Sequence, residues 1–176
     1  MFKKRNKNKK ESAEGCRINN YARKKKVIFV DADACPVKDE ISRIAKVLGM
    51  KVCFIASYNH KPSSINKGDD WTFVDPDSEA CDLYIFNHIK RGDVLVTQDT
   101  GLASLALQKG VYVFSPRGTE YKEATIDAAL GFRYLAAKDR KRGVFWKGPK
   151  AFTSEDHDRF KTVFESFCRK LVNAED

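Results

Sequence analysis

The chain has 176 residues, 42% of them hydrophobic, which is enough to bury one continuous core in a single domain. No apolar run reaches the roughly 20 residues that span a bilayer, and the charged start is not followed by the apolar stretch of a secretory signal. The sequence therefore predicts a cytoplasmic protein without a membrane segment, and its five cysteines show no spacing typical of a zinc site.

The net charge of +9 is concentrated at the N-terminus. Residues 1–26 contain eleven Lys and Arg against two Glu, a net of +9, whereas residues 27–176 carry 22 basic and 22 acidic residues. We expect a flexible basic arm over 1–26 and one domain over 27–176. Such an arm can contact the phosphates of a nucleic acid through counterion release, and it can equally be a solvated tail that aids solubility.

Strands and helices are predicted to alternate beyond the arm. Continuous β-branched and aromatic runs predict buried strands at 27–30, 51–57, 71–74, 93–99 and 111–114. Turn residues and helical spacing predict helices from Pro36 to Gly49, at 79–91, from about 100 to Gly110, from 122 to a basic linker near 138–150, and at about 153–172. The last helix has an apolar stripe that should pack on the sheet: Phe160, Val163, Phe164, Phe167 and Leu171. This alternation predicts a three-layer α/β/α domain with a mostly parallel sheet.

Acidic residues follow the predicted strands at the edge where such sheets bind ligands. Asp31 and Asp33 come after the first strand, Asp99 ends the fourth, and Glu79 and Asp82 share one face of a helix start. Carboxylates held together repel one another, and a hard divalent cation, Mg²⁺ or Mn²⁺, would remove the conflict because all the ligands are oxygens. We therefore predict a metal site from these residues. Taken singly, each is also a common residue type at a helix N-terminus, and that alternative stays open.

Basic residues close to the same edge are candidates for binding a phosphate or a nucleic acid. Arg117 follows the fifth strand and could contact a phosphate through two hydrogen bonds, and Lys147 and Lys150 are further candidates. Each of the three is more often an ordinary surface residue. The sequence contains neither a GxGxxG nor a GxxxxGK[ST] motif, so a dinucleotide site or a P-loop is not supported.

The chain resembles the YaiI/YqxD family of bacterial proteins in four segments that follow one another in fixed order: DADACPV (31–37), GDVLVTQDTGLASLAL (92–107), SPRGTEY (115–121) and KGPKAFTSED (147–156). The resemblance extends over 27–170 and omits the basic arm. It implies a PIN-like α/β domain with an acidic metal site, as in PIN-like metal-dependent nucleases. On that pattern the ligands would be Asp31, Asp99 and either Glu79 or Asp82. Glu79 stands where the family has Asp, which leaves the middle ligand open.

Three functions are compatible with these residues. The leading hypothesis is a Mg²⁺- or Mn²⁺-dependent nuclease or phosphodiesterase acting on RNA or another nucleic acid, with Asp31, Asp33, Asp99 and Arg117 at the reaction centre. An apolar strand ending in D-x-D also begins the haloacid-dehalogenase-like phosphatases, in which the first Asp is a nucleophile, although no acidic pair follows a lysine in the required order. The third hypothesis is a non-catalytic RNA-binding module.

Overall fold

The computed structural model describes residues 25–66, 68–77, 79–145, 148 and 150–174. Within these ranges the chain adopts an α/β fold in which a six-stranded, mostly parallel sheet is flanked by helices, so the predicted fold class is confirmed. The strands are β1 (Val27–Asp31), β2 (Lys51–Ser57), β3 (Asp70–Val74), β4 (Val94–Val96), β5 (Tyr112–Phe114) and β6 (Glu120–Tyr121). The helices are α1 (Lys38–Leu48), α2 (Ala80–His88), α3 (Thr100–Gln108), α4 (Glu123–Lys141) and α5 (Ser154–Asn173).

The order of the strands brings β1 and β4 together at the centre of the sheet. The sheet runs β3-β2-β1-β4-β5-β6, with β1 to β5 parallel and β6 antiparallel to β5. The chain thus adds strands on one side of β1, then returns to add the rest on the other side. Val30 of β1 is in register with Val96 of β4, so the next residues, Asp31 and Thr97, lie beside each other at the carboxyl edge. This switch point is where α/β sheets bind ligands.

Alternate residues of β1 face two separate hydrophobic clusters. Ile28 and Val30 belong to the cluster that includes residues of α1 and α5, whereas Val27 and Phe29 belong to the cluster that includes residues of α2 and α3. Both faces of β1 are therefore covered, which explains its uninterrupted apolar sequence. Asp31 has the parity of Phe29, so its side chain leaves the strand on the α2–α3 side.

The predicted apolar stripe of the last helix packs on the sheet, with one exception. Phe160, Phe164 and Leu171 are buried, and Phe167 is partly buried against the same cluster. The rings of Phe160 and Phe164 stack with their centroids 4.9 Å apart. Val163 is 37% exposed and does not belong to the packing face, so its inclusion in the stripe was wrong.

Two element boundaries differ from the predictions around Asp93. The helix predicted over 79–91 ends at His88, because Ile89 adopts an extended conformation with φ −74° and ψ 140°. The backbone N–H of Lys90 then donates to the Asp93 carboxylate at 2.8 Å. This buried carboxylate also accepts the Val27 N–H at 3.0 Å, and so joins the start of β1 to the turn before β4.

One other strand, one linker and one short strand also differ from the predictions. The strand predicted over 93–99 is regular only at Val94–Val96, since its last residue has become the N-cap of α3. The linker predicted near 138–150 begins later, because α4 continues to Lys141 and turns at Gly143, whose φ is 80°. The two residues of β6 were not predicted, since a strand this short carries no periodic signal.

Nearly all of the predicted basic arm, residues 1–24, lies outside the described residues, so the division into arm and domain stays a prediction. In the part of the chain that the structure describes, no helix is both long and apolar enough to cross a membrane.

Candidate acidic site at the switch point of the sheet

Three helices begin at the carboxyl edge of the sheet. α1 follows β1, α2 follows β3 and α3 follows β4. The first N–H groups of a helix lack intrahelical partners and carry partial positive charge, so this edge favours negative groups. The acidic residues predicted from the sequence are distributed over these strand ends and helix starts.

Thr97 links the end of β1 to the start of α3. Its hydroxyl donates to Oδ2 of Asp31 at 2.9 Å and accepts the backbone N–H of Asp99 at 3.0 Å. Thr97 is 1% exposed, so this link is fixed in the interior. Burial raises the pKa of Asp31, and the nearby carboxylates of Asp33 and Asp99 raise it further, whereas the hydrogen bond from Thr97 opposes the shift. Asp31 is therefore a well-oriented carboxylate in a negative environment.

Asp99 has two structural roles at once. As the N-cap of α3 its Oδ1 accepts the N–H groups of Gly101 at 2.6 Å and Leu102 at 3.0 Å. Nη1 of Arg133, from α4, lies 2.9 Å from each carboxylate oxygen. Burial by itself would raise the pKa of Asp99, but the Arg133 guanidinium and the two N–H groups outweigh it and lower that pKa. The N-cap alternative is thus confirmed for Asp99, which is also ion-paired.

Asp82 is the least compensated carboxylate of the group. It lies in the first turn of α2, just after Glu79 at the N-cap position. Burial raises the pKa of Asp82 to about 6, with further contributions from Asp31, Asp99 and Glu79, and Arg133 only partly opposes them. None of the described residues donates a hydrogen bond to its carboxylate. Carboxylates from β1, α2 and the start of α3 are therefore close enough to perturb one another electrostatically.

Asp33 follows β1 in the chain, and its side chain makes hydrogen bonds at the end of the neighbouring strand β2. Its Oδ1 accepts the Ser57 N–H at 2.8 Å, and its Oδ2 accepts the Cys81 thiol at 3.7 Å and lies 3.4 Å from Nδ1 of His60. Burial, followed by the Asp33 charge, raises the pKa of the Cys81 thiol to about 12, so this cysteine is a neutral donor. Asp33 thus supports the site from the side of β2.

The predicted phosphate-binding residues are placed differently. Arg117 is ion-paired with Asp156, donates to the backbone carbonyl of Lys150 and lies over the Phe152 ring at 5.2 Å. Its charge is partly compensated, because Asp156 is also ion-paired with Arg159. Lys150 is exposed, and Lys147 lies outside the described residues. The nucleic-acid-binding roles of these three residues stay predictions.

The chemistry of the donor set fits a hard divalent cation, but the present arrangement does not offer a complete coordination sphere. All the clustered acidic groups are carboxylates, which Mg²⁺ and Mn²⁺ prefer. Across the ranges given for the structure, no three His, Cys, Asp or Glu side chains converge closely enough to hold one ion. On Asp99, Oδ1 already accepts three hydrogen bonds, whereas Oδ2 accepts only Arg133 among the described residues, so a cation would share Oδ2 with Arg133. The fit is therefore one of charge and ligand type.

Two residues of this site were missed by sequence reasoning. Thr97 stands two positions before Asp99 in the TQD segment, and that spacing was the available signal for it. Arg133 lies 34 residues after Asp99 on another helix, and no local pattern distinguishes it from the other basic residues of α4. Its pairing depends on how α4 packs against α3.

The fold and site define a class: α/β proteins with carboxylates gathered at the switch point of a mostly parallel sheet. The chain belongs to the YaiI/YqxD family, since the sequence profile described as "Uncharacterized BCR, YaiI/YqxD family" matches residues 29–170. This confirms the resemblance noted in the sequence.

Relatives of similar length are found in several bacteria. A UPF0178 protein of Bacillus velezensis is 51% identical over 152 residues, 86% of this chain and 90% of the relative. A UPF0178 protein of Bacillus pumilus is 48% identical over 149 residues, 84% and 90% of the two chains. One from Listeria monocytogenes is 47% identical over 142 residues, 81% and 95%. No solved structure matches the chain significantly.

Proposed function

We propose that this protein is a divalent-metal-dependent phosphodiesterase that acts on RNA or another nucleic acid, with Mg²⁺ or Mn²⁺ held by Asp31, Asp82 and Asp99. One observation carries the proposal: burial raises the pKa of Asp31 and of Asp82, and neighbouring carboxylates, Asp99 among them, raise both further. Arg133 lowers the pKa of Asp99 and only partly opposes the shift of Asp82. A cation would relieve this repulsion, and the switch point is the general ligand site of such sheets.

Asp31 and Asp82 are the residues best placed to ligate the cation, and their neighbours have supporting roles. Asp31 is oriented by Thr97, and Asp82 has no hydrogen-bond donor among the described residues, so both can turn oxygens toward a cation. Glu79, beside Asp82, adds negative charge, and Asp33 supports the site from β2. When bound, a divalent cation would supply an activated water and neutralise the charge that builds up on the phosphoryl oxygens.

The phosphatase hypothesis receives less support from the geometry. It requires Asp31 as a nucleophile and Asp33 as a mobile proton donor. Both oxygens of Asp33 are engaged at the end of β2, by the Ser57 N–H on one side and by Cys81 and His60 on the other. Trapping with beryllium fluoride distinguishes the two mechanisms, because only a nucleophilic aspartate forms the stable adduct.

Mn²⁺ binding tests the site before any substrate is known. We expect Mn²⁺ to stabilise the wild type by about 2.7 kcal/mol at a hundredfold excess over its dissociation constant. Asp31→Asn and Asp82→Asn should each weaken binding at least tenfold in calorimetry, whereas Asp127→Asn, an exposed residue of α4, should not. If the wild type does not bind Mn²⁺, or if Asp31→Asn binds it equally well, the proposal is wrong.

Cleavage of RNA tests the activity. The double variant Asp31→Asn/Asp99→Asn should lose Mn²⁺-dependent cleavage of a labelled RNA. Because Asp99 also caps α3, circular dichroism is needed to show that the variant is folded. Undiminished cleavage by this variant would contradict the assignment. Binding of RNA without any cleavage by the wild type would instead favour the non-catalytic module.

A further inference from the structure

A groove of about 340 Å³ opens beside the acidic site, between α2 and α3. Asp82 and Asp99 line one part of it, and Leu83, Phe86 and Leu105 form much of its apolar wall. Leu83 is 61% exposed and Leu105 is 48% exposed. Two large aliphatic side chains on neighbouring helices are thus open to solvent directly beside a charged site. This combination of an apolar wall and a few polar groups is typical of small-molecule sites.

Arg133 holds Asp99 with only one of its nitrogen atoms. Nη1 contacts both oxygens of Asp99 at 2.9 Å and the Thr100 hydroxyl at 3.3 Å. Nη2 and Nε contact no acceptor among the described residues, and the side chain is 56% exposed. A guanidinium carries five donors in a planar fork, and its Nε–Nη2 edge matches two oxygens of a phosphate. Asp99, which lines the groove, therefore holds a guanidinium whose Nε–Nη2 edge has no acceptor among the described residues.

We propose that this groove and Arg133 form a subsite for one nucleotide. The phosphate binds the Nε–Nη2 edge of Arg133, and the base packs against Leu83, Phe86 and Leu105. This inference rests on the proposed function and deepens it, because it names the part of the substrate that lies next to the acidic site.

Three observations favour a nucleotide over a protein segment or a second copy of the chain. The volume is near the lower end of the range for small-ligand sites, about 300–1,000 Å³, and suits a single base with its sugar. Asp99 lines the groove together with the apolar wall and is paired with Arg133, so one residue connects an apolar surface to a cationic group, as a nucleotide connects a base to a phosphate. Lys109 lies over the Phe86 ring, 4.0 Å from its centroid, and donates to the Phe86 carbonyl, which holds this aromatic side chain in place for contact with a base.

Calorimetric titration of the full chain with AMP and with ribose 5-phosphate separates the two halves of the subsite. Each titration is made with Mn²⁺ and with a chelator, because the carboxylates repel a phosphate in the absence of a cation. Arg133→Met should weaken the binding of both ligands about tenfold, as expected for the loss of a bidentate charged contact. Arg140→Met, an exposed arginine of the same helix, is the matched control and should leave both affinities unchanged.

Leu105→Ala tests the apolar half. It should weaken AMP binding about three- to fivefold and leave the binding of ribose 5-phosphate, which lacks a base, unchanged. Leu135→Ala is the matched control, because Leu135 is 47% exposed, nearly as much as Leu105, and does not line the groove. The subsite is supported if Arg133→Met weakens the binding of both ligands, Leu105→Ala weakens the binding of AMP alone, and the two control variants bind both ligands as the wild type does.

Several outcomes would overturn the inference. Equal affinity of the wild type for AMP and ribose 5-phosphate would exclude a base in the groove, and unchanged binding by Arg133→Met would exclude the guanidinium contact. Self-association of the chain that is lost in Leu105→Ala would assign the groove to a second copy. If Mn²⁺ binds in an Asp31-dependent manner but AMP does not bind, only the nucleotide subsite fails. If Mn²⁺ does not bind, the proposed function fails as well.

Discussion

Replacing Asp82 by asparagine should stabilise the protein at neutral pH and have little effect in acid. The native environment raises the pKa of this carboxyl to about 6, first through burial and then through Asp31, Asp99 and Glu79. The charged form is therefore unfavourable in the folded protein. Asparagine keeps the size of the side chain and removes the charge, so the repulsion is relieved without creating a cavity.

The size of the effect follows from the pKa. The carboxyl of Asp82 has a pKa of about 6 in the native protein and 3.8 in the unfolded chain. Between pH 3.8 and pH 6 the native state binds more protons than the unfolded state, so the free energy of unfolding falls as the pH rises through this range. Without any solvent screening, this difference in pKa would lower the free energy of unfolding by about 3 kcal/mol at neutral pH. Asp82 is partly exposed, so we expect solvent screening to reduce it to about 1 kcal/mol.

Urea unfolding of the wild type and Asp82→Asn, at pH 4 and pH 7.5 with a chelator present, measures this difference. The variant should be more stable by about 1 kcal/mol at pH 7.5, and the gain should nearly vanish at pH 4. Asp127→Asn serves as the control, because Asp127 is an exposed residue of α4. A gain that does not depend on pH, or a loss of stability at pH 7.5, would refute the electrostatic reasoning about the site.

Three further substitutions test the surrounding structure by urea unfolding at pH 7. Thr97→Val removes both the donor to Asp31 and the acceptor of the part-buried Asp99 N–H, and should cost about 2 kcal/mol. Thr97→Ser keeps the hydroxyl and should cost less than about 1 kcal/mol; similar losses in the two variants would contradict the role of the hydroxyl. Asp93→Ala leaves two backbone N–H groups without an acceptor and should cost about 3 kcal/mol, and Asp93→Asn, which keeps one acceptor oxygen, about half of that. Gly118→Ala should cost about 2 kcal/mol or more, since the φ of Gly118 is +79° and a Cβ would lie 3.1 Å from the backbone of α5. Gly131→Ala in α4 is the control, because its Cβ meets nothing within 4 Å, and it should stabilise the protein by about 0.5–1 kcal/mol; the opposite order would be inconsistent with this packing.

The predicted elements were most accurate where a strand is buried on both faces or a helix ends at a glycine, because both features are visible in the local sequence. β1 and β2 are covered on both faces, so their sequences are uninterrupted apolar runs, and α1 ends at Gly49, whose left-handed φ of 64° suits glycine. The end of α2 was misjudged. α2 stops at His88, four residues before Gly92, because Asp93 binds the N–H of Lys90. That contact was not evident from the apolar pattern.

The edge of the sheet at which the acidic residues gather also follows from the sequence, because parallel strands separated by helices place all their carboxyl ends on one side. Asp31 and Asp99 were assigned to this edge for that reason. What the sequence left open was whether Asp99 is a cap, an ion-pair partner or a metal ligand. Its two backbone donors are local, but Arg133 comes from a helix that has to pack against α3 first.

Local patterns along the chain thus predict the class of fold and the strand ends that carry carboxylates, because hydrophobic periodicity and turn residues act over a few neighbouring positions. Which charged and polar side chains come into contact depends instead on how the whole domain packs. Thr97 reaches Asp31 across 66 residues, and Arg133 reaches Asp99 across 34. Such pairs form only when strand order and helix packing bring distant segments together, and that placement depends on the free energy of the whole core rather than on any local pattern.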